Sequence, residues 1–201
     1  MISPEQLVQR CRAALAAPVP ERAVEAILAE LIAGDPAAVR HSLAGDDGAP
    51  GAHGLGMRVL VDSPELTIFH ASLPPGFVNA PHEHRTWAVV AVYEGEEHNV
   101  FYARRGTSIE PVAELHATAP RVVVMDENAI HAIENPLPRP SYALHAYGGA
   151  HFHIPRSMWH PETLAEQARD ERQFRAWARN MIARGVRLPA VPRSGPAADQ
   201  P

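Results

Sequence analysis

Residues 81–95 read Pro81-His82-Glu83-His84-Arg85-Thr86-Trp87-Ala88-Val89-Val90-Ala91-Val92-Tyr93-Glu94-Gly95. β-Branched and aromatic residues run from Thr86 to Tyr93 and Glu94-Gly95 supplies a turn, the pattern of a short strand. If Pro81–His84 continues extended into that strand, the side-chain period of two sets His82 and His84 on one face, their backbones roughly 7 Å apart, with Glu83 on the other. Two imidazoles so placed can converge on one ion. The same spacing also fits a polar face or hydrogen-bonded core histidines.

The neighbouring segments read the same way. Strand patterns occur at Met57–Val61, Leu66–Ser72, His98–Ala103, more weakly within Ile109–His116, and at Arg121–Met125, Ala129–Ile133 and Ser141–Tyr147. Turn formers separate them: Asp62-Ser63-Pro64, Pro74-Pro75-Gly76, Asp126-Glu127-Asn128 and Pro136–Pro140. Seven or eight short strands without intervening helices predict a sandwich, jelly roll or barrel over residues 57–155.

Helical patterns flank this region. Ser3-Pro4-Glu5-Gln6 has the form of a capping box with proline at the first helical position, and Leu7, Cys11 and Leu15 follow on one face. Pro20-Glu21 opens a second helix that Gly34 is placed to end, and Asp35-Pro36 caps a short third, so residues 1–44 form a helical segment packed on the barrel. Residues 44–56 are a glycine-rich loop without the lysine or strand–loop–helix setting of a phosphate cradle. A helix is expected from about Pro161 to Ala183, within a C-terminal unit of residues 156–185, its Phe174, Trp177 and Met181 stripe packing on the barrel. Residues 186–201 are proline-rich and aperiodic, a flexible tail.

The chain has 201 residues, one domain's length, and is 46% hydrophobic, enough for a sizeable core. A formal charge of −5 argues against nucleic-acid and anionic-membrane partners. The lone cysteine, Cys11, excludes an internal disulfide framework and reads as a buried structural thiol. The first residues lack a secretory pattern and no 18-residue apolar run occurs, so a soluble cytoplasmic protein is expected. Of 12 histidines, ten lie between His70 and His160, which directs attention to the strands. His131, after the Asp126–Asn128 turn, is the distant third imidazole that a facial metal site needs.

Gly76, His82-x-His84, Gly95 and His131-x-x-x-Asn135 together resemble the two motifs of the cupin superfamily. That superfamily usually carries a glutamate four or five residues after the second histidine, where this chain has Ala88 and Val89. The thiol dioxygenase branch (cysteine dioxygenase and 3-mercaptopropionate dioxygenase) also lacks it and binds ferrous iron through three histidines. HEHRTW at 82–87 resembles that branch's His-Asp-His-Thr-x-Trp stretch, and HAIEN at 131–135 its His-Arg-Val-Glu-Asn segment. Leu144-His145-Ala146-Tyr147 is similar to its Ser-x-His-x-Tyr element, with Ala143 at the serine position.

The resemblance implies a mainly β cupin double-stranded β-helix, a jelly-roll barrel with N-terminal helices and a C-terminal helix. It implies Fe(II), with Mn, Ni, Zn or Cu as alternatives, on His82, His84 and His131, and a small-molecule thiol oxidised by dioxygen to a sulfinate. Tyr147 would face substrate, oriented by His145, with Ser141 standing in for the missing serine. Val89 occupies the position of the cysteine that crosslinks the tyrosine in animal members, so Tyr147 is expected uncrosslinked. Arg58 is the expected carboxylate contact and Trp87 a further substrate contact, while Arg85 is aimed away by the strand period. A homodimer is expected by analogy. His151-x-His153 lies outside the motif pattern, His98 and His116 are expected to line or cap the sheet, and Asn135 to tie down a turn. Glu97 and Glu134 read as solvated or structural, Glu97 becoming a fourth ligand if a bend turns it inward. Two rivals share the fold: a metal-dependent cupin with another reaction, such as ring cleavage or isomerisation, and a non-catalytic ligand-binding cupin.

Overall fold

The strand patterns between residues 57 and 147 fold into two antiparallel sheets in the computed structural model, which describes residues 2–45 and 55–191. The strands are β1 (Gly56–Asp62), β2 (Thr67–Leu73), β3 (His82–Glu83), β4 (Ala88–Glu94), β5 (Glu96–Arg105), β6 (Ser108–Thr118), β7 (Arg121–Met125), β8 (Ile130–Glu134), β9 (Ser141–Tyr147), β10 (Ser157–Trp159) and β11 (Glu166–Ala168). One sheet has the order β1-β2-β9-β4-β7 and the other β11-β10-β3-β8-β5-β6. The antiparallel pairs β2–β9, β3–β8, β4–β7 and β5–β6 nest about the β5–β6 hairpin and fall alternately in the two sheets. That is one long hairpin rolled up, the double-stranded β-helix form of the jelly roll.

Strand alternation sorts side chains into an interior and an outer layer. Phe69, Ala71, Ala88, Val90, Val92, Ala143 and Tyr147 face the other sheet across the barrel interior. Ile68, Val89, Ala91, Tyr93, Leu144 and Ala146 face outward, and the N-terminal helices bury them. These helices are α1 (Pro4–Ala14), α2 (Pro20–Ile32) and α3 (Pro36–Leu43). Each begins with proline in its first turn; Ser3 and Gln6 form the capping box and Asp35 Oδ1 accepts from Ala37 N–H. Cys11 is buried in this layer, and burial pushes its thiol up to about 12.

Three expectations need correction. His82-x-His84 does not extend into the following strand. His82 and Glu83 pair with β8 in one sheet, whereas Ala88–Glu94 pairs with β7 and β9 in the other. Arg85, at φ 60°, makes the turn that carries the chain across. The C-terminal helix α4 (Glu171–Ala183) starts ten residues later than Pro161. The intervening residues form the β10–β11 hairpin, in which Leu164 is left-handed (φ 54°), and Asp170 then caps α4 by accepting from Gln173 N–H. Of the expected tail, 186–191 is docked: Leu188 and Val191 pack on the outer face of the six-stranded sheet, and Arg187 pairs with Glu134. The rest of that tail, and most of the glycine-rich loop, lie outside the described residues. No helix among the described residues is long and apolar enough to cross a membrane.

Candidate metal centre

Register brings the three predicted histidines together. His82 of β3 stands directly opposite His131 of β8, and His84 follows in the turn. All three are buried, and one ligand nitrogen from each lies within 4.8 Å of the others. His84 Nε2 and His131 Nε2 are 3.1 Å apart. Two nitrogens bound to one first-row ion at bonds of ~2.1 Å sit about 3.4 Å apart when tetrahedral, so the spacing fits a shared cation.

The surroundings select the nitrogen that faces inward. Asn99 Nδ2 donates to Glu97 O and Oε1, which leaves Asn99 Oδ1 to accept from His131 Nδ1–H at 2.8 Å. Ala80 O accepts from His82 Nδ1–H at 3.1 Å. With Nδ1 protonated and held, Nε2 carries the lone pair on both rings, the orientation metal-binding histidines need. Burial, the largest cause in each case, holds His82 and His84 well below the usual imidazole range and His131 down to about 4. Three neutral imidazoles are ready donors at neutral pH and leave a bound ion its full positive charge.

These rings form one wall of a cavity of about 800 Å³. Tyr147 and His145 line it too, with Tyr147 Oη 3.2 Å from His145 Nδ1 and the Phe69 ring stacked on His145. His145 Nε2 has no hydrogen-bond partner among the described residues, and Glu97 Oε2 lies 3.7 Å from it. Tyr147, His145, Glu97, Asn99 and His131 thus form a buried polar row, hydrogen-bonded except across the 3.7 Å between His145 and Glu97. Burial raises Glu97 to about 7, pushes Tyr147 above the usual phenol range and lowers His145 to about 3. Glu97 faces inward but engages Asn99 rather than the histidine cluster. Ser141 does not complete the relay: its hydroxyl accepts from Glu96 N–H and donates to Asn135 Oδ1, closing the turn that Asn135 ties down.

Arg58 and Trp87 are placed elsewhere. In the β1–β2 register Met57 pairs with Ala71 on the interior face, so Arg58, paired with His70, points outward, where its guanidinium reaches Leu43 O at the end of α3. Trp87 shares the outer face with Val89, packing against the N-terminal helices' core and over Gly148. Neither lines the cavity. The cationic lining comes instead from Arg156, Arg169, Arg175 and Arg179. The Arg156 side chain is only 2% exposed and Arg169 12%. Both contact Glu171 Oε1, yet Arg156 Nε and Arg169 Nη1 have no hydrogen-bond partner among the described residues. Two buried guanidinium groups beside one carboxylate leave excess positive charge. Neither residue lies in a recognisable motif; the only hint was arginine following the strands. His151 also enters the site, stacked on Tyr147 at 3.8 Å, because Gly148-Gly149 folds the chain back; His153 turns away to Asp62.

No protein-family model matches the chain, and none of the curated proteins matches it. Solved structures do. DMSP lyase DddQ from Ruegeria pomeroyi DSS-3 is 18% identical, with 67% of this chain and 77% of that chain covered and a TM-score of 0.47. A conserved protein with a double-stranded beta-helix domain from Klebsiella pneumoniae is 15% identical over 52% of this chain and 80% of its own, with a TM-score of 0.42. KdgF from Halomonas sp. is 15% identical over 50% and 84%, at 0.41.

Proposed function

We propose that this chain is a mononuclear non-heme Fe(II) dioxygenase that converts a small thiol bearing an anionic group into its sulfinate. The observation that supports it is one cavity holding both the buried His82–His84–His131 cluster and the excess positive charge of Arg156 and Arg169. His82, His84 and His131 would hold the metal. Fe(II) bound there supplies Lewis acidity that favours the thiolate and the redox capacity to use dioxygen. The balance is one thiol plus one dioxygen to one sulfinic acid, both oxygen atoms ending on sulfur.

The protein's own part is positioning and proton control. Arg156 and Arg169, both in the cavity lining, attract and orient the substrate anion, and their low exposure strengthens the pairing. Tyr147 keeps its proton near neutral pH and offers a hydroxyl to substrate, fixed by His145. Phe69 and Phe174 keep that side of the cavity apolar.

Oxygen uptake by anaerobically Fe(II)-loaded protein tests this. Cysteine and 3-mercaptopropionate should be consumed, cysteamine, which lacks a carboxylate, at least tenfold less efficiently, and Arg156→Gln should raise KM for the acids at least tenfold. Uptake indifferent to the carboxylate contradicts the anion site. Bound iron without thiol-dependent uptake contradicts the dioxygenase reading and favours another metal-dependent reaction, to which Ala143 at the relay's serine position also points.

A further inference from the structure

On the opposite side of the six-stranded sheet from the cavity, we infer a second divalent-cation site built from His98, Glu114 and His116. His98 of β5 stands directly across from His116 of β6, and Glu114 is two residues along β6 on the same face. One ligand atom from each lies within 4.8 Å of the others. The sheet itself separates this group from the first: β8 turns His131 inward and Glu134 outward, and Glu134 pairs with His98.

What distinguishes the group from ordinary surface ion pairs is how its nitrogens are committed. Glu134 Oε1 accepts from His98 Nδ1 at 3.0 Å, and Glu96 Oε1 lies 2.7 Å from His116 Nδ1. In each ring a carboxylate fixes Nδ1 as the protonated nitrogen and leaves Nε2 with the lone pair, the carboxylate–histidine arrangement found behind metal ligands. Glu134 is itself held by Arg187 and Leu188 N–H, so it is spent as a support. The His98 side chain is only 6% exposed, yet its Nε2 has no hydrogen-bond partner among the described residues. Glu114 Oε2 lies 3.5 Å from that nitrogen, close to the ~3.4 Å between ligands that share a tetrahedral ion. The His98 and His116 rings stack in parallel with centroids 4.1 Å apart, so sharing one ion requires the more exposed His116 to tilt its lone pair toward that point. Two imidazoles and one carboxylate suit borderline first-row cations such as Zn(II), Co(II) or Ni(II) rather than Mg(II) or Ca(II). Glu96, Glu114 and Glu134 make the local charge favour a cation.

The test is a Zn(II) titration of metal-free full-length protein by calorimetry, with folding of every variant checked by circular dichroism. The His84→Ala protein, whose triad is broken, should still bind one ion. His84→Ala combined with His116→Ala or with Glu114→Gln should bind it at least tenfold more weakly; both outer residues are partly exposed and their loss leaves the core intact. Glu96→Gln in the same background should weaken binding about tenfold, as loss of an orienting carboxylate does. If His84→Ala binds no zinc, or binds it unchanged after the outer substitutions, this site does not exist. Failure of the triad appears separately, as wild-type protein that binds only the ion sensitive to His116→Ala.

Discussion

Glu97 shows what burial does to a single group. Its carboxyl is raised from the ordinary 4.5 to about 7 because burial penalises the anion more than Asn99 relieves it. Between those values the folded protein keeps a proton that the unfolded chain has lost, so this residue makes stability fall as pH rises through the window. Glu97→Gln removes that slope. By pH 8 the variant should have gained on the order of 3 kcal/mol on wild type relative to pH 4. Urea titrations at the two pH values measure it, and an unchanged difference contradicts the assignment. The residue's importance was hard to read in advance because the strand pattern starts at His98, whereas β5 starts at Glu96 and turns 97, 99 and 101 inward. His82, His84 and His131 were legible because a short motif carries them. Arg156 and Arg169 were not, since they face each other only where the β10–β11 hairpin opens beside the cavity, Arg169 N–H donating to Arg156 O at 2.8 Å.

Elements decide which face a residue serves. Trp87 lies one position before β4, and the alternation that puts Ala88 inside puts Trp87 outside, over the backbone of Gly148. A Cβ on Gly148 would overlap the indole ring, which the layer around it holds in place. Gly148→Ala should therefore destabilise by about 1–3 kcal/mol, the usual effect of overpacking, read as a shifted urea midpoint at unchanged m. Unaltered stability would show that Trp87 does not pack there. Capping residues and prolines made α1 to α3 legible nearly to the residue, and most strands matched within two positions. The boundary before α4 was not, because Pro161-Glu162 resembles a helix start while Leu164 adopts a left-handed turn that no periodicity reports. The sheet crossing at Arg85 was hidden similarly: a non-glycine residue at positive φ leaves no trace in the pattern.

At the scale of the whole molecule, the barrel buries more histidine than glutamate, and that balance sets its response to acid. Burial lowers His70 and His131 to about 4 and His145 to about 3, all from an ordinary value of 6.5. As pH falls below 6.5 the unfolded chain takes up these protons while the folded one refuses them, so stability is lost between about 6.5 and 4. Three such groups outweigh Glu97, which works in the opposite direction. Three protons less the one that Glu97 retains leave two, at 1.36 kcal/mol each, so metal-free protein should lose at least about 3 kcal/mol per pH unit near pH 5, and His82, His84 and His151, lowered as well, add to it. Urea midpoints at pH 7 and pH 5 measure this, and a flat profile contradicts the burial of these rings. The central claim is that this fold closes three imidazoles around one ion at the cavity wall, and anomalous diffraction from crystals soaked anaerobically in Fe(II) measures it most directly. An iron peak within about 2.3 Å of the Nε2 atoms of His82, His84 and His131 is the result predicted. No peak between those rings, with iron found elsewhere or nowhere, would contradict it.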